Sequence, residues 1–148
     1  MPEFFNVFAP DVALRMLLDR LQRHVGTEIV PTYQTPGRVT AEAVHAPEHL
    51  PAFPRSTMDG YAVRARDTFG ASESLPAYLE VVGEVRTGQA PDITLGTGQA
   101  TVAYTGGMLA HSADAVVMVE NTQTIDATSI EVSRPVAPGE NVIQVGED

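Results

Sequence analysis

The chain has 148 residues, no cysteine and a formal net charge of −10, with nine basic residues, all of them arginine, against 19 acids. That length suits one domain or two small ones and buries about two-thirds of its unfolded surface. The missing cysteines exclude disulfides, thiolate metal sites and a Cys nucleophile. The charge balance argues against a nucleic-acid partner, and no apolar run reaches the roughly 18 residues of a membrane span. No signal-peptide pattern is visible either.

In chain order, residues 1–9 read as an irregular apolar arm. Residues 10–25 read as a helix: Pro10 suits its first position and Asp11 the positive end of the dipole. Leu14, Leu17, Leu18, Leu21 and Val25 recur at helical spacing, with Arg15, Asp19, Arg20 and Arg23 outside the stripe. Gly26 is the expected stop. Residues 27–31 form a short β candidate, 34–37 a turn, and 39–44 (VTAEAV) alternate like a half-buried strand. Pro47, Pro51 and Pro54 stiffen a crossing into a β-rich region.

Beyond Tyr61 the pattern predicts a strand over 78–85 with a bulge at Gly83, a loop over 88–98, a strand over 100–104, and a tight turn at Thr105-Gly106-Gly107. The continuous apolar run within 115–120 (AVVMVE) predicts a buried strand. A hairpin follows around Asp126-Ala127-Thr128, then a turn at Pro138-Gly139-Glu140 and a last short strand over 142–145. The expected fold is α+β. An N-terminal helix with short strands forms one small domain (1–50 and 136–148), and a β-rich, barrel-like second domain (51–135) is inserted in it.

Candidate chemistry lies in the connections. In 53–64 (FPRSTMDGYAVR), Ser56 or Thr57 can cap a turn, and Asp59-Gly60 is a common turn pair. The functional reading is that Asp59 presents a carboxylate from a rigid loop, able to hold Mg²⁺ or orient a phosphate-bearing ligand. Arg can fork onto phosphate in a way Lys cannot, which makes Arg55, Arg64 and Arg66 the arginines to follow. At 103–108 (AYTGGM), two glycines allow close backbone approach, and successive N–H groups can cradle an anion. Glu120 and Asn121 end the buried run as candidate polar contacts. Pro138-Gly139-Glu140-Asn141 and the terminal Gly146-Glu147-Asp148 complete the set.

MDGYAV, TGG, ADAVVMVE, PGENV and GED, in this order, resemble the first two domains of the molybdopterin molybdenumtransferase (MoeA and gephyrin E-domain) family over nearly the whole chain. The resemblance implies a cytosolic, usually dimeric protein that continues into an α/β domain carrying much of the pterin and molybdate site. It implies insertion of molybdate into adenylylated molybdopterin with Mg²⁺ (or Zn²⁺), releasing AMP, in a cleft of which this chain is one wall. On that basis Asp59 and Asp148 are the expected catalytic carboxylates, Asp59 also the expected metal ligand. Arg55, Ser56, Thr57, Gly60, Thr105 and Gly106 are the expected ligand-binding residues. Three stretches depart from the family pattern: Arg55-Ser56-Thr57 stand for Asn-Ser-Ala, Gly107 stands for alanine, and Ile143, Gln144 and Val145 stand where arginines precede GED. Alone, the chain is expected to be non-catalytic. The alternative is a dimerisation, scaffold or ligand-binding module without catalysis.

Overall fold

The computed structural model describes residues 7–21 and 25–147. Its contacts separate Met1–His45 from Ala46–Asp148 as two compact units.

In the first unit, helix α1 spans Pro10–Arg20, with Pro at its start and Asp11 in its first turn. Arg15 closes an exposed i,i+4 ion pair with Asp11. The expected extension to Val25 is not made: Leu21 already has extended dihedrals, five residues before Gly26, and 22–24 lie outside the described residues. No residue of α1 is buried, so the helix has no packing to extend a marginal last turn. The expected strands at 27–31 and 39–44 are also not formed. Val39 and Val44 are almost wholly exposed, and no ladder partner stands beside either segment among the described residues. An alternating pattern without a second strand to pair with does not make a strand. The expected turn at 34–37 is present: Arg38 N–H donates to the Thr35 carbonyl at 3.0 Å with Gly37 at φ 81°, just after a 3₁₀ turn over Thr32–Gln34.

The second unit is a curled mixed sheet, which makes the chain α+β with a β-rich part. Its strands are β1 (Arg55–Ser56), β2 (Gly60–Val63), β3 (Ala77–Val85), β4 (Gln99–Ala103), β5 (Ala115–Met118), β6 (Thr122–Thr124), β7 (Ser129–Val132) and β8 (Val142–Ile143). Six strands run in the order β5-β2-β4-β3-β7-β6, and β1 pairs separately with β8. All neighbours are antiparallel except β3 and β4. The first half of β3 pairs with β7 and most of its length with β4, with a register shift between Val81 and Glu84. That is the predicted bulge at Gly83, where a side chain would strike Ile93 at 2.6 Å.

β5 is buried on both faces, as its apolar run requires. Ala115 and Val117 join Val63, Leu79, Ile130, Val132 and Val136 in one core, while Val116 joins Ala62, Ala103 and Leu109 in another. The outer edge of β5 is covered by the Pro138–Asn141 turn: Val116 N–H donates to the Glu140 carbonyl at 3.0 Å, and Asn141 Nδ2 donates to the Val116 carbonyl at 2.8 Å. The sequence placed 136–148 with the N-terminal domain. In this structure Val136 lies in the β core and β8 pairs with β1, so the described part of that segment is grouped with the β-rich unit.

Two buried threonines of this unit have opposite bonding. Thr68 Oγ1 donates to the Ala65 carbonyl at 2.7 Å and accepts from Val136 N–H at 3.1 Å. Thr101 Oγ1 is buried with no partner among the described residues. Replacing each with valine is therefore expected to act in opposite directions. Thr68→Val leaves the Val136 N–H without its acceptor and costs about 1–2 kcal/mol, whereas Thr101→Val removes an orphaned hydroxyl and stabilises by about 1 kcal/mol. Urea denaturation of the two variants reads the signs, and equal signs would contradict this account.

Candidate functional site

The segment 55–60 is held from three sides, and the holders are the other sequence motifs. Ser56 N–H donates to the Gly107 carbonyl at 2.9 Å, and Gly106 N–H returns a bond to the Ser56 carbonyl at 2.8 Å. Thr57 N–H donates to the Asn141 carbonyl at 3.0 Å, and Val119 N–H donates to the Asp59 carbonyl at 3.2 Å. The Ser56 hydroxyl is buried and closes the loop on itself, donating to the Met58 carbonyl at 2.5 Å and accepting from Met58 N–H at 3.2 Å. Gly106 makes the turn possible at φ 79°. A methyl at Gly107 would lie 3.0 Å from the Tyr104 carbonyl, which is tight but not blocked.

Asp59 stands at the exposed end of this loop. Its Oδ1 accepts from Thr105 N–H at 2.8 Å and from the Thr105 hydroxyl at 3.0 Å. Those two bonds, the backbone one foremost, hold its carboxyl below the ordinary carboxylate pKa, against a smaller opposing effect of desolvation. Asp59 Oδ2 accepts no hydrogen bond from the described residues. Asp59 and Thr105 are 46 residues apart. They meet because β2 and β4 are antiparallel with Gly60 opposite Ala103, which brings the start of one strand to the end of the other. Gly60 is buried against β5, and a Cβ there would sit 2.0 Å from the Val117 carbonyl oxygen.

The parallel partner β3 ends at the same edge. There Tyr104 donates its phenol hydrogen to Glu84 Oε2 at 2.8 Å, and Arg86 Nε donates to Glu84 Oε1 at 2.7 Å. The Tyr104 bond is the main reason the Glu84 carboxyl is lowered, with Arg86 next, and the same bond raises the phenol. Sequence reading missed this pair. Only the expected alignment of a strand end with the TGG turn could have pointed to it.

The other expected site residues are placed as follows. Arg55 lies on β1, opposite Ile143 of β8 and bridged to Met108. Arg64 is not available as a phosphate fork. It is largely buried against Asp67, with Nη2 donating to Oδ1 at 3.2 Å and Nε 3.1 Å from Oδ2 outside hydrogen-bond geometry. Arg66 is exposed in a 3₁₀ turn. Asn121 serves β7 structurally, its carbonyl accepting from Ser133 N–H and hydroxyl. Asp114, passed over in the sequence as part of a buried run, ties two loops: its Oδ1 accepts from Ala65 N–H at 2.6 Å. Asp148 lies outside the described residues. No group of three or more His, Asp or Glu able to hold a metal occurs among the described residues. No described helix is long and apolar enough to cross a membrane.

The convergence of these motifs has a counterpart in known proteins. A family described as the MoeA N-terminal region (domain I and II) matches residues 9–148. The chain belongs to this family. It is 37% identical over 141 residues to the molybdopterin molybdenumtransferase of Bacillus subtilis, covering 93% of this chain and 33% of that protein. It is 39% identical over 119 residues to molybdopterin molybdenumtransferase 2 of Mycobacterium tuberculosis, covering 80% and 29% respectively. The crystal structure of the molybdopterin biosynthesis MoeA protein from Pyrococcus horikoshii superposes with a TM-score of 0.77 at 40% identity, over 93% of this chain and 36% of that one. The chain thus spans about a third of the length of the curated relatives it matches. In this MoeA N-terminal region the family motifs are the pieces that fasten one loop, and Asp59 is the side chain that loop presents.

Proposed function

We propose that the chain is the N-terminal part of a molybdopterin molybdenumtransferase and forms one wall of the cleft in which molybdate enters adenylylated molybdopterin. The observation that carries this reading is the fastening of 55–60 by the TGG and PGEN turns and by Val119, which directs Asp59 out of a rigid frame. A preorganised carboxylate loses little on binding, because the loop is already ordered. Asp59 is the acting group. Thr105 positions it, Gly60, Gly106 and the buried Ser56 shape its loop, and Arg55 and Thr57 line the approach. Asp148 keeps the role that the family resemblance gives it.

Mg²⁺ fits this frame as a shared ion. Asp59 has one oxygen without a protein donor among the described residues, and Mg²⁺ takes one or two carboxylates plus water and substrate phosphate oxygens. When bound, it would neutralise charge on the phosphoryl oxygens. The arginines that family members carry before GED are replaced here by Ile143, Gln144 and Val145. Arg55, directly across the ladder from Ile143, returns a cation to that neighbourhood. The exposed apolar stripe of α1 (Leu14, Leu17, Leu18) is read as a surface for a second subunit in a cytoplasmic homodimer.

The test is calorimetric titration of this chain, and of the complete protein, with adenylylated molybdopterin and Mg²⁺, after sedimentation has established the oligomeric state. Binding by the chain itself, and a dimeric complete protein, are expected. Binding by the complete protein alone would move recognition to the remaining domains and leave this chain a scaffold. A monomeric complete protein would remove the subunit role of α1.

A further inference from the structure

We infer that Tyr104 is a ligand-contacting residue of the Asp59 site, a fixed aromatic surface on which a flat heteroaromatic ring, a pterin or a purine, stacks. This rests on the reading of the site above and adds the part of the ligand that Asp59 does not address. A carboxylate with its hydroxyl and N–H partners can handle a phosphate or a metal, but offers nothing to a ring.

Three observations carry it. Tyr104 directly precedes Thr105, which holds Asp59, so the ring and the carboxylate belong to one strand end. The residue is 38% exposed, on the face opposite buried Ala103, so part of its ring is open to a ligand. The phenol is anchored, donating to Glu84 Oε2 at 2.8 Å while Arg86 holds Oε1 of the same carboxylate. An exposed tyrosine ordinarily samples several rotamers and loses that freedom on stacking. One tied at its hydroxyl has lost it already, so more of the stacking energy appears as affinity. The charged groups around it are Glu84, Arg86 and Asp59. Arg86 also lies where it can leave Glu84 for an anionic substituent of the ring's ligand.

The experiment has two arms. In the first, this chain is examined by NMR without ligand. The Hα–Hβ couplings of Tyr104 are expected to report one χ1 rotamer, and Glu84→Gln is expected to average them; averaged couplings in the unsubstituted chain overturn the anchoring. In the second, the complete protein is titrated by calorimetry with 6-hydroxymethylpterin and, separately, with AMP. Tyr104→Ala is expected to weaken the ligand that stacks by about tenfold. Tyr104→Phe, which keeps the ring and loses the anchor, is expected to weaken it about twofold to threefold. Which of the two ligands responds identifies the ring. Unchanged affinity for both in Tyr104→Ala overturns the stacking role while leaving the proposed function intact. Absence of binding by the unsubstituted complete protein overturns both.

Discussion

Gly60→Ala is expected to lower the stability of the β-rich unit by about 4 kcal/mol, which for a chain of this size shifts Tm down by roughly 10 °C or more. Gly60 lies between β4 and β5, opposite Ala103 on one side and Met118 on the other. A methyl group built on it would be 2.0 Å from the Val117 carbonyl oxygen and 3.0 Å from Met118 Cα. These are backbone atoms, so no rotamer change relieves the clash. β5 cannot retreat without breaking its four-residue ladder to β2 and dislodging Val116 and Val117 from the two cores they fill. Overpacking in a well-packed interior ordinarily costs about 1–3 kcal/mol, and the absence of any yielding side chain puts this site above that range. Thermal unfolding followed by circular dichroism checks the expectation. A variant melting within about 2 °C of the parent would show that β2 and β5 leave room for a methyl group at this position.

Asp59→Ala is expected to have the complementary profile: little change in stability, and loss of cofactor formation by about 100-fold or more in the complete enzyme. The side chain is exposed, so Thr105 N–H and hydroxyl exchange the carboxylate for water when it is removed. The frame that carries the residue is built from backbone bonds of Ser56, Thr57, Gly106 and the Asp59 carbonyl, none of which uses its carboxylate. Asp59→Asn separates charge from shape, since an amide oxygen can still accept from Thr105. If the charge matters, Asn is expected to be nearly as inactive as Ala.

The pH dependence has a definite sign. The Thr105 bonds lower the folded-state pKa of Asp59. Its contribution is therefore complete above the ordinary aspartate value and is lost as the pH falls through the lowered one. The acid limb of activity assigned to this group should accordingly lie below the usual carboxylate range, and Thr105→Val, which deletes one of the two bonds, should move it upward. Activity in Asp59→Ala equal to that of the parent would sink the assignment.

Much of the β-rich unit was legible because its signals are local. A bulge glycine, a hairpin at Asp126-Ala127-Thr128 and an apolar run too continuous for a half-exposed strand each depend on a few neighbouring residues. All appear in place. The N-terminal unit was less legible for the opposite reason. The alternation of 39–44 states that one face wants cover, but a strand exists only with a partner, and its described surroundings provide none.

The site divides along the same line. By itself the sequence determined the motif order, the turn chemistry at Asp59-Gly60 and Thr105-Gly106-Gly107, and through them the family. Only the tertiary structure decided what those residues do to one another. Antiparallel pairing of β2 with β4 put Thr105 on Asp59, parallel pairing of β3 with β4 put Glu84 on Tyr104, and burial beside Asp67 removed Arg64 from the candidates for phosphate. The physical reason is that propensity and periodicity act over a few residues, whereas a carboxylate's partners are chosen by strand register between segments far apart in the chain.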